Sequence, residues 1–380
     1  MKMTAKPRRL AGCACCATPS FSADGFSADG SSASSHADGG LDRRSFLAGS
    51  AAAGISAAAV LNPSPAPAQA APAKRIDVHH HFLPPFHREV LQVNRGSAAL
   101  PAWTVEGSLQ DMDKAGVATA MLSVMQPGVW FGNVEQGRSL ARGCNDYAAQ
   151  LVKDHPGKFG MFATLPLPDT EGSLKEIEYG LDVLKAGGIA LMTSYYDKYL
   201  GDPAFLPVFE ELNRRKAVVY VHPTTPDCCK ALVKGLPVGT IEYATDTTRT
   251  ISSLIFGEAG TAFKCPDIRF IWSHSGGTLP FLTGRLIRLA RDRKDARMPD
   301  GPIPILKRYN YEIAQGNTAG QLAALMKLVP VSQVMFGSDY PFVAGIEAVE
   351  GLIEYRFSEA DQRAIERENA LKLLPGVKAG

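Results

Sequence analysis

Short apolar runs alternate with amphipathic stretches along the chain from Arg75 onward. The runs are rich in β-branched and aromatic residues, have the length of buried strands and are bounded by polar or turn-forming residues. Each run is followed by a segment in which apolar residues recur at helical spacing. The predicted strands lie at 76–81, 119–124, 160–167, 188–194, 218–223, 268–276, 309–314 and 334–341.

The helical pattern is clearest in four of the intervening or terminal segments. In 139–155, apolar residues recur every three or four positions, which is typical of a helix with one buried face. Segments 202–216 and 246–260 behave similarly, and 358–374 opens with the capping pattern Ser358-x-x-Asp361. Strands that alternate with helices predict a parallel sheet. Eight such units in roughly 300 residues favour a closed (β/α)8 TIM barrel over an open sheet.

The first 70 residues do not follow this pattern. Residues 1–41 are dominated by small and polar residues, including a tandem FSADGFSADG, and we expect a disordered leader. Residues 42–70 place a twin arginine before an Ala-rich run and end on Ala-Gln-Ala, which resembles a twin-arginine signal peptide. The run is too short and too mild for a membrane span. We therefore expect export to the periplasm, or a cytoplasmic protein if the leader is not functional, with one catalytic domain over 71–380.

Charge and cysteine content narrow the class of protein further. The formal net charge is +2, and beyond residue 70 basic and acidic residues balance, so no nucleic-acid surface is indicated. Neither a GxGxxG nor a GxxxxGK[ST] motif is present, so a nucleotide cofactor is not supported. Cysteines beyond the leader are too few for a disulfide scaffold. We expect the adjacent Cys228 and Cys229 to be a pair of loop thiols.

Histidine and aspartate side chains cluster where the predicted strands end. His79 and His81 close the first strand, His222 the fifth, His274 the sixth and Asp339 the eighth. In a TIM barrel these strand ends form the catalytic face. Because residues i and i+2 share one face of a strand, His79 and His81 point together into the barrel mouth. The middle histidine of the triplet, His80, is then expected to pack away from it.

Neutral imidazoles and a carboxylate are ligands for a divalent ion such as Zn²⁺ or Mn²⁺. The alternative, that each residue is a hydrogen-bonded core group, suits a lone histidine better than this set. The sequence therefore predicts a site for one metal ion, with zinc favoured and manganese as the alternative. Two other histidines are expected to be solvated: His87 in a loop and His155 at a helix end.

Four motifs in order resemble those of the metal-dependent amidohydrolase superfamily, over about residues 75–375. They are IDVHHHFLPP, the VHP at 221–223, SHSGGTLPFLTGR at 273–285 and FGSDYPF at 336–342. The closest resemblance is to the branch that contains aminocarboxymuconate-semialdehyde and 6-methylsalicylate decarboxylases. This resemblance implies the following metal ligands: His79, His81, His222 and Asp339.

The same resemblance implies roles for residues beside the metal. His274 is similar to a residue that contacts the metal-bound water and takes part in proton transfer, and in a decarboxylase His274 and Asp339 would move the proton that replaces CO₂. Arg285 resembles an arginine that reaches into the site of a neighbouring subunit and binds the substrate carboxylate, so a homodimer is implied. Binuclear members bridge two metals with a lysine at the end of strand four, and here GIALMTSYY has no lysine before Lys198. A single metal is therefore favoured.

One metal ion can polarise a substrate oxygen or acidify water, so two reactions are compatible with the site. The favoured prediction is a non-oxidative decarboxylase of a small aromatic or unsaturated carboxylic acid. Phe82 and Trp103 are among the aromatic residues that could stack on a flat substrate, and the alternative for each is packing within the loops over the barrel mouth. The alternative prediction is a hydrolase of a lactone, ester or amide. A non-catalytic binding protein is least supported because every site residue is present.

Overall fold

The computed structural model describes residues 74–95, 100–230 and 232–377. The predicted leader (1–41) and the predicted signal peptide (42–70) lie outside the described residues and stay predictions. Within the described ranges no helix combines the length and apolar character needed to cross a membrane.

Eight parallel strands form the core of the structure, and each pairs with its neighbours in chain order. Backbone hydrogen bonds from the segment after the last strand return to the first: Val78 N donates to Phe336 O at 3.0 Å and His81 N donates to Tyr340 O at 2.8 Å. The predicted (β/α)8 TIM barrel is confirmed. The strands are β1 Arg75–Phe82, β2 Val117–Val124, β3 Phe159–Thr164, β4 Gly188–Met192, β5 Val218–His222, β6 Arg269–Trp272, β7 Asn310–Glu312 and β8 Val334–Met335.

Helices connect successive strands and cover the outside of the barrel. The helices are α1 Pro85–Arg95, α2 Val105–Ala115, α3 Val134–Asp154, α4 Thr170–Glu178, α5 Leu206–Arg214, α6 Gly239–Phe256, α7 Thr261–Lys264, α8 Leu279–Arg293, α9 Ile303–Leu306, α10 Ala319–Leu328, α11 Gly345–Tyr355, α12 Glu359–Arg363 and α13 Asn369–Leu373. The predicted capping pattern is confirmed, because the Ser358 side chain accepts a hydrogen bond from Asp361 N at the start of α12.

The later strands are shorter than the sequence predicts. The sixth run was predicted to continue to Gly276, but β6 ends at Trp272 because His274 and Ser275 both have left-handed backbone angles, with φ of 55° and 57°. The eighth run likewise leaves the strand after Met335. The polar ends of both runs are therefore turns at the barrel mouth, and they carry side chains that a strand would point elsewhere.

The side chain of Asp77 joins the first and last strands at the point of closure. It is buried and accepts hydrogen bonds from Ser338 N at 3.0 Å, His79 N at 3.0 Å and the Ser338 hydroxyl. It also lies 3.0 Å from His80 Nδ1. One carboxylate thus satisfies four donors that would otherwise be buried without a partner.

We expect Asp77→Ala to lower the free energy of unfolding by about 3 kcal/mol, because several buried donors lose their acceptor at once. Chemical denaturation would measure this change. The matched control is Asp113→Ala, whose exposed carboxylate contacts Lys158 at 3.1 Å and should contribute less than about 1 kcal/mol. Equal losses from the two variants would contradict the role of Asp77 in closure.

Candidate metal centre

The five predicted residues meet at the mouth of the barrel. The Nε2 atoms of His79 and His81 are 3.0 Å apart, and Asp339 Oδ1 lies 3.1 Å from each of them. The ring of His222 lies 4.6 Å from that of His81, and the ring of His274 lies 5.1 Å from that of His79. The five residues therefore share one centre, although Asp339 lies 260 positions after His79 in the sequence.

One donor atom from each of four residues, His79, His222, His274 and Asp339, lies within 4.8 Å of all the others. His81 is equally central by its distances to His79 and Asp339. His274 therefore lies as near the centre as the ligands implied by the family resemblance. Three or more imidazoles with one carboxylate form a donor set that suits zinc or manganese.

Each of the four imidazoles has beside its Nδ1 atom an oxygen that can only accept a hydrogen bond, and at His81 the Ser123 hydroxyl lies 3.4 Å from the same nitrogen. The partners are Glu312 Oε1 for His79 at 2.9 Å, Ser123 O for His81 at 3.3 Å, Pro223 O for His222 at 2.7 Å and Ala314 O for His274 at 2.8 Å. The proton of each neutral ring is therefore assigned to Nδ1. The lone pair of each Nε2 atom is then available toward the centre, as in metal-binding histidines.

Two buried atoms at the centre lack a hydrogen bond. His222 Nε2 has no partner, and Asp339 Oδ1 is near two ring nitrogens but without the alignment of a hydrogen bond. Leaving such lone pairs buried and unsatisfied is costly. A divalent cation would satisfy both, so the residues present fit a bound metal ion.

The electrostatic environment favours positive charge at this centre. Burial by itself lowers the pKa of His79, but the carboxylates of Glu312 and Asp339 outweigh it and raise that pKa to about 10, so a metal ion would displace a proton from Nε2 of this ring. Burial holds the pKa of His222 well below its usual value, so that ring is neutral. Burial by itself raises the pKa of Asp339, but the charge of His79 outweighs it and the carboxylate stays ionised. A cation at the centre would meet a neutral imidazole and an ionised carboxylate, as metal binding requires.

A register irregularity in β1 turns His79 toward the centre. Val78 belongs to the apolar cluster inside the barrel with Tyr220, and the ring of His79 also lies beside Tyr220 at 5.3 Å. Adjacent residues of a regular strand point to opposite faces. The pairing with β2 is shifted between Asp77 and His80, and this irregularity lets both Val78 and His79 face inward.

The other histidines have structural environments. His80 points away from the centre, as predicted, with Nε2 2.6 Å from the Ser108 hydroxyl and its ring stacked on Tyr340. The prediction for His87 was wrong. It is buried in α1 with Nε2 2.9 Å from Gly128 O, because that helix packs this residue against the loop that follows β2. His155 is half-buried at the end of α3, in the predicted position.

A cavity of about 920 Å³ opens above the centre. Its walls combine the exposed edges of three site residues with neutral polar side chains, one basic side chain, Lys230, and a few apolar or aromatic ones. The lining includes Gln126, Pro127, His222, Thr225, Lys230, Pro237, Val238, Gly239, Thr240, Tyr243, Ala244, His274, Gln315, Gln321, Asp339 and Phe342.

The residues predicted to bind substrate lie elsewhere in this chain. Phe82 and Trp103 are buried, their rings pack around Tyr147 at 6.3 and 6.4 Å, and neither is among the described residues that line the cavity. Arg285 is exposed on α8 and is also absent from that lining. Aromatic residues near an apolar strand end can pack under the adjoining helices instead of over the barrel mouth. The sequence pattern does not distinguish these two positions.

Three site residues were not predicted from the sequence. Glu312 is an acid at the end of β7, and Gln315 follows it and donates to Asp339 Oδ2. The rule that strand ends carry chemistry would have selected both. Tyr243 lies on α6, where nothing in the sequence distinguishes a residue that faces the cavity.

The prediction that Cys228 and Cys229 are loop thiols was wrong. The structure joins these two chain neighbours as a disulfide, with their Cα atoms 3.8 Å apart.

The family model described as amidohydrolase matches residues 76–376. The chain belongs to the amidohydrolase family. A decarboxylase of Aspergillus niger, yanB, is 39% identical to this amidohydrolase over 79% of the chain and 87% of its own length. The 6-methylsalicylic acid decarboxylase of Penicillium expansum is 34% identical over 80% of the chain and 97% of its own length. The predicted resemblance is therefore confirmed.

A solved structure shows the same fold with a metal. The dihydroxybenzoic acid decarboxylase of Polaromonas, determined with manganese and 2-nitroresorcinol, matches with a TM-score of 0.67 and 22% identity. The match covers 80% of this chain and 97% of that chain. At this sequence identity the structural similarity establishes the barrel fold. The metal-binding residues of the amidohydrolase described here are assigned from the distances between its own side chains.

We expect His222→Ala to lose most of its bound metal, because the variant removes a buried ring nitrogen at the centre that has no hydrogen-bond partner. Elemental analysis of the purified protein would give the metal content per chain. His155→Ala, a histidine at the end of α3, is the control and should keep the metal content of the unaltered protein. Full metal content in His222→Ala would contradict the assignment of His222 as a ligand.

Proposed function

We propose that this amidohydrolase is a metal-dependent, non-oxidative decarboxylase of a small aromatic carboxylic acid of the 6-methylsalicylate type. One observation carries the proposal: His274 and Asp339 face the cavity and belong, with His79 and His222, to a group of donors that fits one divalent cation. The named activities of the two relatives, which align with nearly the whole barrel, support the same reaction.

The metal would be held by the residues that the family resemblance implies. We propose one divalent ion per chain on His79, His81, His222 and Asp339, with zinc favoured because imidazoles dominate the donor set. Manganese is the alternative, since a structural relative was determined with it. A bound divalent ion would polarise a substrate oxygen and so stabilise the electron pair left on the ring when CO₂ departs.

Decarboxylation requires a proton at the carbon that loses the carboxylate. The bond between the ring and the carboxylate carbon breaks, its electron pair stays on the ring carbon, and a proton joins that carbon in place of CO₂. His274 is placed to deliver it. Its Nδ1 is fixed on Ala314 O at 2.8 Å, so its Nε2 is the atom free to take up and donate a proton at the cavity. Asp339 lies beside it and supports positive charge on the ring.

The shape and polarity of the cavity suit a flat phenolic acid. Tyr243 and Phe342 supply aromatic faces, while Gln126 and Gln315 supply neutral amide groups that can pair with a hydroxyl or carboxyl group. Gln315 also holds Asp339 Oδ2, which orients the carboxylate at the mouth. A ring bound between these groups would exclude water from the carbon that receives the proton.

We expect purified residues 71–380 to release CO₂ from 6-methylsalicylate or a related hydroxybenzoate. His274→Ala should retain its metal but lose about 10²-fold or more in kcat, the usual contribution of a positioned acid or base. Assays of CO₂ release beside metal analysis would check both. Hydrolysis of lactones or esters without CO₂ release would overturn the proposed reaction. A joint loss of metal and turnover in His274→Ala would make His274 a ligand.

We also propose that the protein is a homodimer in which Arg285 completes the site of the partner. The support is that Arg285 is exposed on α8 and does not line the cavity of its own chain. Arg285→Ala and His274→Ala, each inactive alone, should regain partial activity when their subunits are mixed and allowed to exchange. Mixed dimers with no regained activity would count against a shared site.

A further inference from the structure

A buried acid at the end of β7 is left without a role by the proposed reaction. Glu312 has no exposed surface and lies deeper in the barrel than the cavity that would receive the substrate. A buried carboxylate is retained only where enough donors compensate for its loss of water. The contacts of Glu312 therefore indicate what it does.

Three donors converge on this one carboxylate. Oε1 accepts from His79 Nδ1 at 2.9 Å and from His274 N at 2.7 Å, and Oε2 accepts from Ala314 N at 2.7 Å. Ala314 in turn accepts from His274 Nδ1 through its carbonyl oxygen. Glu312 therefore holds His79 by its ring, and it holds His274 both at the backbone and, through Ala314, at the ring.

The close packing of Gly337 shows that the position of the carboxylate is tightly constrained. A methyl group at Gly337 would lie 2.1 Å from Glu312 Oε2 and 2.9 Å from His79 Cβ. The chain thus carries no side chain at the point where the segment after β8 passes the carboxylate. This glycine lies two residues before Asp339, so the same carboxylate packs against the segment that supplies the fifth site residue.

We propose that Glu312 is a positioning residue that sets the metal affinity of the centre and holds the proton-transferring His274 in place. Because a carboxylate can only accept, it fixes the proton of His79 on Nδ1 and leaves the Nε2 lone pair for the metal. It also retains the left-handed backbone at His274, where φ is 55°. The part that concerns metal affinity is independent of the reaction, whereas the part that concerns turnover rests on the proposed function.

The substitution Glu312→Gln tests this role with little change in volume. Three N–H groups face the carboxylate, so the NH₂ group of a glutamine must point at one of them whichever way the amide turns. We expect the affinity for Zn²⁺, measured by competition with a chromophoric chelator at fixed pH, to fall by about 10- to 100-fold. At saturating metal, kcat should fall by about tenfold or more while KM changes little.

Glu176→Gln is the matched control. Glu176 is also a buried acid, and it accepts from Arg142 at 2.9 Å and Asn145 at 2.8 Å on the outside of the barrel. It should lower the thermal unfolding midpoint without altering the chelator competition. Unchanged metal affinity in Glu312→Gln, or an equal loss of affinity in Glu176→Gln, would overturn the proposal.

A second variant displaces the carboxylate without removing it. Gly337→Ala places a methyl group against Oε2, so it should also weaken Zn²⁺ binding, whereas Gly320→Ala has no atom within 4 Å of the new methyl group and should leave binding unchanged. If Gly337→Ala acts through Glu312, the double variant should lose less affinity than the product of the two single losses. Fully additive losses would contradict that route.

The two proposals fail in different ways. Loss of metal affinity in Glu312→Gln in a protein that releases no CO₂ from any tested acid would sustain the positioning role and reject the proposed reaction. CO₂ release by the unaltered protein, with unaltered metal affinity and kcat in Glu312→Gln, would sustain the proposed reaction and reject the positioning role.

Discussion

Four imidazole rings can face one point at the barrel mouth because each is held from behind at Nδ1. The holding oxygens come from three backbone carbonyls and one carboxylate, and all of them accept without donating. In the neutral form of each ring this constraint leaves the Nε2 lone pair for the centre. It explains why the centre leaves His222 Nε2 and Asp339 Oδ1 buried without partners. The fold tolerates these unsatisfied atoms where a cation would satisfy them.

Two buried carboxylates organise the strands that carry these rings. Asp77 ties β1 to the segment after β8, and Glu312 ties β1 to the segment after β6. Both accept backbone N–H groups that leave the regular ladder at the strand ends. Irregular backbone at the mouth is thus stabilised by side chains, and this irregularity lets the barrel aim its donors inward. The same hydrogen bonds therefore stabilise the fold and position the residues of the site.

The comparisons with known proteins and the geometry of the site are independent observations, and they support the same proposed reaction. The relatives indicate which reaction this barrel performs, while the orientation of the side chains indicates how protons and a metal can be held. Fold alone would leave hydrolysis and decarboxylation equally open. The partly aromatic cavity beside His274 suits a flat acid, and His274 would lie beside a ring bound there.

Local sequence patterns determined the barrel, the H-x-H pair and the strand ends that carry His222, His274 and Asp339. Period-two and period-3.6 patterns are local, so they can be detected without the fold. The inward turn of His79 depended instead on a shift in the pairing of β1 with β2. The role of Glu312 depended on a contact with His79 across 233 residues. Burial of Phe82, Trp103 and His87 likewise depended on how helices pack over strand ends, which only the tertiary structure decides because no local pattern records distant neighbours.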